Sequence, residues 1–332
     1  MPDTRRTDVV LLAVAVVWGS SYLTAKAATD ATSVPIVLFL RSFLSALACV
    51  AVVAALRRRR PFTRDEMLHG SLLGLTQSAV LALETYGVAH TSAANAGLII
   101  SLTLVLTPVL DRVGRPGGLP GRFFLAAGLC VGGVGLLVSG HGLRAPGTGD
   151  LLILAAAVVR AGHVVLVGRV TAARTLRPLQ LTAVQSVVGA AMFLLPAAGD
   201  LPGAARFDAA TWAQLVHLAL LCGLFAFLAQ TWAVQRTSAT RASLLLGTEP
   251  VWALLVGLGF GDERLTPLSL LGAALIVTGT YWGQAVERVH RASPRASLPE
   301  ATGAGCCGTA PRENATAATP ACPRCSPAAA PG

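Results

Sequence analysis

The sequence predicts an all-α polytopic membrane protein, with ten transmembrane helices in two inverted five-helix repeats. Three observations predict it. The 332-residue chain is 54% hydrophobic and 13% charged, with a mean hydropathy of +0.65, whereas a soluble domain carries about 25% charged residues. The apolar residues gather in runs of about twenty, the length that crosses a bilayer at roughly 1.5 Å per residue. The second half of the chain also repeats the first.

Five spans fall in the first half: Val9–Ala28, Pro35–Leu56, Met67–Val88, Ala93–Leu110 and Arg122–Ser139. Five follow: Asp150–Val170, Gln180–Pro196, Trp212–Gln235, Ala242–Phe260 and Pro267–Val286. The first could pass for a signal peptide, but the repeat needs it. The segment Thr85–Leu98, TYGVAHTSAANAGL, matches Thr231–Leu244, TWAVQRTSATRASL, at seven of fourteen positions. The halves begin alike, DVVLLAVAVVW from Asp8 and DLLILAAAVVR from Asp150. They close alike, with Gly128 and Gly135 spaced as Gly272 and Gly279. Five spans is an odd number, so the second repeat enters the membrane upside down. That architecture belongs to transporters, with the substrate site near the midplane where the repeats meet. The expected organisation is a first repeat over 8–140, a second over 150–286 and a disordered cytoplasmic tail over 287–332.

The net charge of +10 does not indicate nucleic acid, because the arginines fall in loops between spans. Even-numbered loops and the tails hold most of them, including the run Arg57–Arg60; the odd loops hold Arg144, Arg206 and Arg264. The positive-inside rule then puts both termini in the cytoplasm, and the Arg- and Ala-rich composition hints at a bacterial inner membrane. Of seven cysteines, Cys49, Cys130 and Cys222 lie singly in spans and read as small apolar residues. Cys306, Cys307, Cys322 and Cys325 lie in the tail without a disulfide framework. The spacing of the last two resembles a metal pair only loosely, and no metal or cofactor is expected.

The pattern resembles the EamA-type transporters of the drug/metabolite transporter superfamily, over residues 8 to about 286. The resemblance is carried by WGSSYLTAK (Trp18–Lys26), LFLRSFLSAL (Leu38–Leu47), TYGVAHTSAANAGLI (Thr85–Ile99) and above all LLLGTEPVWALLVGLGFGDERLTPLSLLGAALIVTGTY (Leu244–Tyr281). It implies ten helices in two inverted repeats and export or exchange of small metabolites without ATP. The chain departs from that pattern twice. The first-half counterpart of GDERL, Asp111–Arg122, lacks the acidic pair, and Arg160 stands where an aromatic is more usual, as at its counterpart Trp18.

A carboxylate at bilayer depth costs at least about 2.5 kcal/mol, so Glu249, mid-span beside Pro250, is a candidate for function. Pro250 removes a backbone donor and loosens the helix there. The repeat pairs Glu249 with Thr103, Arg160 with Trp18, Arg41 with Gln185 and Glu84 with Gln230, counterparts lying across the midplane from each other. Arg41 and Glu84 could be a structural ion pair or an outer gate. Arg160 and Glu249 could be an internal pair, or could each bind one end of a zwitterion, the guanidinium taking a carboxylate and Glu249 an amine. Trp18, Ser21, Tyr22 and Ala25 share one helical face, as do Asn95, Ile99 and Thr103; either face could serve substrate or plain packing. His163, one turn from Arg160, reads as polar packing, and His90 as a solvated loop residue.

The function expected is secondary transport of a small metabolite, an amino acid or related solute, in the efflux direction. A membrane-embedded enzyme has no support, since the spans carry no H-E-x-x-H, G-x-S-x-G or clustered His/Cys/Asp. No G-x-x-x-x-G-K-[ST] is present to bind ATP. A non-transporting scaffold or sensor is compatible with the tail but does not require midplane charges. The partners expected are a small-molecule substrate and the lipid bilayer, not nucleic acid, with a homodimer left open.

Overall fold

The computed structural model describes residues 2–55, 62–112, 119–138, 147–173, 176–234, 246–261 and 266–292. The Arg57–Arg60 run, the Asp262–Leu265 turn, the repeated segment from Thr237 to Leu244 and the tail with its four cysteines lie outside the described residues. Among those described there is no strand. The helices are α1 (Pro2–Ala31), α2 (Val34–Ala55), α3 (Arg64–Ala89), α4 (Ala93–Ile100), α5 (Thr103–Arg112), α6 (Gly121–Val138) and α7 (Thr148–Ala173). They continue with α8 (Pro178–Ala197), a 3₁₀ turn (Leu201–Arg206), α9 (Ala209–Val216), a π-helical segment (His217–Phe225), α10 (Ala226–Val234), α11 (Glu249–Phe260) and α12 (Pro267–Ala292).

Six stretches are long and apolar enough to cross a bilayer: Arg5–Ala31, Val34–Ala55, Ala93–Asp111, Thr148–Val170, Pro178–Ala197 and Ala209–Ala229. Three shorter apolar helices, Gly121–Leu136, Glu249–Phe260 and Leu270–Val286, and the more polar α3 complete the ten spans among the described residues. Many large apolar side chains are exposed, among them Leu47, Leu68, Leu125, Val131, Leu195 and Phe260, as a lipid-facing surface allows. Several helix starts are capped: Thr63 and Glu66 form a capping box on α3, Ser92 accepts from the Asn95 amide on α4, and Asp208 accepts from Thr211 on α9.

The inversion is visible in what the helix ends touch. At one end, Ser33 after α1 donates to Asp200 after α8 (2.7 Å), and Thr91 before α4 donates to Asp150 at the start of α7 (2.7 Å). At the other end, Arg177 before α8 bonds Glu66 at the start of α3 through Nε and Nη2, each 2.6 Å. So α3 and α8 rise from one face while α7 and α4 descend from the opposite one. Contacts between repeats come in exchanged pairs. Helix α1 packs on α11 as α7 packs on α4–α5, and α2 packs on the π segment as α8 packs on α3. The pairs α2–α8 and α6–α12 are each their own counterpart, so the pseudo-two-fold axis passes through both.

Glycines set the closest approaches, because lipid offers no hydrophobic drive and helices associate through close packing. A Cβ at Gly133 of α6 would lie 2.7 Å from the Gly272 carbonyl of α12, and one at Gly279 would lie 2.8 Å from the Cys130 sulfur. A Cβ at Gly19 of α1 would lie 2.6 Å from Trp252 Cβ of α11.

Candidate functional site

A turn precedes a helix start at the matching place in each repeat. In the fourth span, α4 ends at Ile100, Ser101–Leu102 turns and α5 starts at Thr103; three-residue hydrogen bonds, Ser101 N to Leu98 O and Leu104 N to Ser101 O, tighten the turn. In the ninth, Gly247–Thr248 turns and α11 starts at Glu249, with Val251 N bonded to Thr248 O at 3.0 Å. The counterparts Thr103 and Glu249 are thus both first residues of half-helices. This revises the expected mid-helix position of Glu249. Its carboxylate sits in the first turn of α11, where the helix dipole favours negative charge. Pro250 occupies the first turn, where a proline lacks no needed donor, so it starts a helix rather than loosening one.

Arg160 of α7 reaches this break. Its Nη2 lies 3.3 Å from Glu249 Oε2, and its Nη1 lies 3.3 Å from Glu84 Oε1 of α3 and 3.5 Å from Glu249 Oε1. The Tyr22 hydroxyl of α1 donates to Glu249 Oε1 at 2.7 Å and accepts from Arg160 Nη1 at 3.3 Å. The guanidinium sits over the Trp18 ring, 5.5 Å from its centroid, in cation–π range. Four spans from both repeats thereby meet in one cluster. Arg160, Glu84 and Glu249 keep only 21%, 16% and 12% of their side-chain surface exposed.

The distances set the Arg160 contacts apart from those of Arg177. Charge-assisted N–H···O bonds run at about 2.7–2.9 Å. Arg177 and Glu66 meet that at 2.6 Å twice over, whereas every contact of Arg160 is 3.3 Å or longer. Arg160 is shared among three partners and held closely by none.

Of the residues singled out in the sequence, Trp18, Tyr22, Glu84, Arg160 and Glu249 come together, with Pro250 adjoining. Thr103 stands one layer off, its hydroxyl donating to the Ala157 carbonyl at 3.3 Å. Asn95 lies at the opposite end of α4, its amide capped by Ser92. Arg41 makes no ion pair with Glu84, since Arg160 takes that carboxylate. Arg41 and Gln185 line one small cavity, where α2 and α8 pack together at the pseudo-two-fold axis. His163 bonds Thr76 Oγ1 at 2.7 Å and His90 bonds the Tyr86 carbonyl at 2.8 Å, so both have local partners.

Two features had no sequence expectation. The π segment frees carbonyls that a regular helix would bond internally. Trp18 Nε1 donates to Cys222 O at 3.2 Å and Ser45 Oγ to Ala219 O at 2.8 Å, which fixes the Trp18 ring beneath Arg160. A cleft of ≈ 590 Å³ lies between the ends of α1, α3 and α11, lined by Leu23, Lys26, Asp30, His90, Thr91 and Phe260. Lys26 is one turn from Tyr22, so the cleft approaches the charge cluster. Among the described residues, no group of three or more His, Cys, Asp or Glu is arranged to hold a metal ion.

The chain matches the EamA-like transporter family over residues 5–139 and 147–282, one match per repeat. It belongs to that family. The chain is similar to an uncharacterized transporter of Archaeoglobus fulgidus, 27% identical over 81% of this chain and 83% of that one. It is similar to a probable terminal-alkyne amino-acid exporter of Streptantibioticus cattleyicolor, 27% identical over 81% of this chain and 90% of the exporter. A solved crystal structure of a protein shares the fold, with a TM-score of 0.58 over 86% of this chain and 99% of its own, at 19% identity. This EamA-family chain is a multi-pass membrane transporter, and neither its family nor these relatives point to an enzyme.

Proposed function

We propose that the chain is a secondary exporter of a small amino-acid-like solute, and that Arg160 and its partners form the part of the pathway that carries charge. The observation that supports this most is the loose sharing of one guanidinium between two carboxylates and a phenol at a half-helix start. Half-helix ends at the midplane are where inverted-repeat transporters hold substrate and coupling ions. With both carboxylates ionised, Arg160 neutralises one, and the other attracts a proton or a cationic amine. Glu249, at the start of α11 and in contact with both Arg160 and Tyr22, is the group assigned to take it. Protonation or amine binding there weakens the hold on Arg160, which turns to Glu84; release reverses the exchange. Each exchange gives the repeats two arrangements of similar energy, which alternating access needs.

The amino-acid class rests on the exporter of Streptantibioticus cattleyicolor and on paired charges suited to a zwitterion. The arginine asymmetry supports cytoplasmic termini, with the Ser33, Thr91 and Asp200 end outside. The composition supports a bacterial inner membrane. The test is counterflow in proteoliposomes loaded with L-propargylglycine, an amino acid with a terminal alkyne. Labelled solute accumulates transiently in vesicles carrying the protein. Accumulation equal to that in protein-free vesicles overturns the substrate class; a metabolite comparison of cells with and without the protein then tests transport of any other solute.

A further inference from the structure

The cluster around Arg160 leaves one intramembrane cation unassigned. Arg41 of α2 lines a cavity of ≈ 50 Å³ with Ser42, Gln77, Gln185 and Ser186. The lining holds hydroxyls and amides but no carboxylate, and Arg41 has no ion pair among the described residues. Arg41 is half-buried, with no described carboxylate at ion-pair distance and only the more distant Glu84 offsetting its charge, so an anion entering the cavity gains a close partner and gives one. The volume decides the size of that partner. A single water needs about 10–15 Å³ on this measure, so the cavity admits a carboxylate and excludes a ring. Glycine keeps it open: a Cβ at Gly189 would lie 3.1 Å from Ser42 Oγ and 3.3 Å from Ser78 Oγ.

Its position suits one end of a transported solute. The cavity lies where α2 and α8 cross on the pseudo-two-fold axis, and Leu81 in its wall is one turn from Glu84. Both Nη atoms of Arg160 are already engaged by Glu84 and Glu249, so Arg160 is not the open fork for a carboxylate.

We propose that the Arg41 cavity is the carboxylate subsite of the solute, with Arg41 giving a two-point contact and the Gln77 and Gln185 amides completing it. This rests on the reading of the chain as an amino-acid exporter. It moves carboxylate recognition from Arg160 to Arg41 and leaves the Glu84–Glu249 pair for the amine or proton.

The experiment is competition for counterflow of L-propargylglycine by the unlabelled acid and by its methyl ester, which keeps the amine and loses the anion. In the wild type the ester competes at least about tenfold more weakly, the worth of a charge-assisted bond. In Arg41→Gln the acid and ester compete within about twofold of each other. Gly189→Ala, which adds a methyl in contact with Ser42, lowers the preference by a smaller factor, and it decides the matter if Arg41→Gln is absent from the membrane. Retention of the wild-type preference in the variant that is read overturns the subsite while leaving the exporter. Absence of counterflow in the wild type overturns the amino-acid reading, and the subsite with it.

Discussion

At the scale of single residues, Arg160 is the side chain whose removal should be felt most. Replacing it by leucine strands Glu84 and Glu249 in a low-dielectric interior, which costs about 3–5 kcal/mol when one partner of a buried pair is lost. Arg160→Leu is therefore expected at strongly reduced levels in the membrane. Adding Glu84→Gln and Glu249→Gln together should restore the level without restoring transport; a triple variant as scarce as the single one, read by fluorescence-detected gel filtration, would contradict this coupling. Much of the cluster was readable from the sequence. Charges inside apolar spans stand out, and the repeat showed that Glu249 and Arg160 face neutral counterparts. The contact of Arg160 with Glu249 was readable, but the partner of Glu84 was not, because Arg41 and Arg160 are both long enough to reach it and only the crossing of α3 and α7 decides for Arg160.

At the scale of elements, the informative features are the breaks and the close contacts. The sequence marks one continuous fourth span and a ninth loosened at Pro250; the structure starts a helix after a turn at the matching residues Thr103 and Glu249. Hydropathy does not mark such a break, since single residues such as Ser101 and Gly247 barely change the average over a span. The glycine contacts give a contrast between neighbours. Gly133→Val should drive α6 from α12, because the added carbons meet the Gly272 carbonyl and Ile276, at a cost of about 1–3 kcal/mol. Gly132→Ala, with nothing within 4 Å of the new carbon, should leave the melting temperature in detergent unchanged, and equal losses from both would refute the contact. The loop pair Glu66–Arg177 has a pH signature. The Arg177 bonds hold the Glu66 carboxyl at about 2, below its ordinary 4.5. Its stabilisation is thus complete above pH 4.5 and fades as pH falls from 4.5 toward 2. The difference in melting temperature between wild type and Glu66→Gln should stay constant in the neutral range and shrink below pH 4.5; a difference unchanged down to about pH 3 would show that the carboxylate charge is not what matters.

At the scale of the whole molecule, the odd number of spans per repeat and the seven shared residues around each third-to-fourth connection were enough to foresee the inversion. The helix-end contacts Ser33–Asp200, Thr91–Asp150 and Glu66–Arg177 bear it out. An inverted repeat makes the two faces of the protein near-equivalent, so small differences between the repeats carry the function. The largest is that a Thr/Trp pair in one repeat becomes the Glu249/Arg160 pair in the other. The direct test of that claim is pH-gradient-driven flux in proteoliposomes, comparing wild type with Glu249→Gln. Wild-type flux of L-propargylglycine should rise with the gradient, while Glu249→Gln, present at normal levels and close in size but unable to ionise, should lose most flux and all dependence on the gradient. Wild-type flux with an unaltered gradient response from Glu249→Gln would contradict the account and leave Glu249 a packing residue.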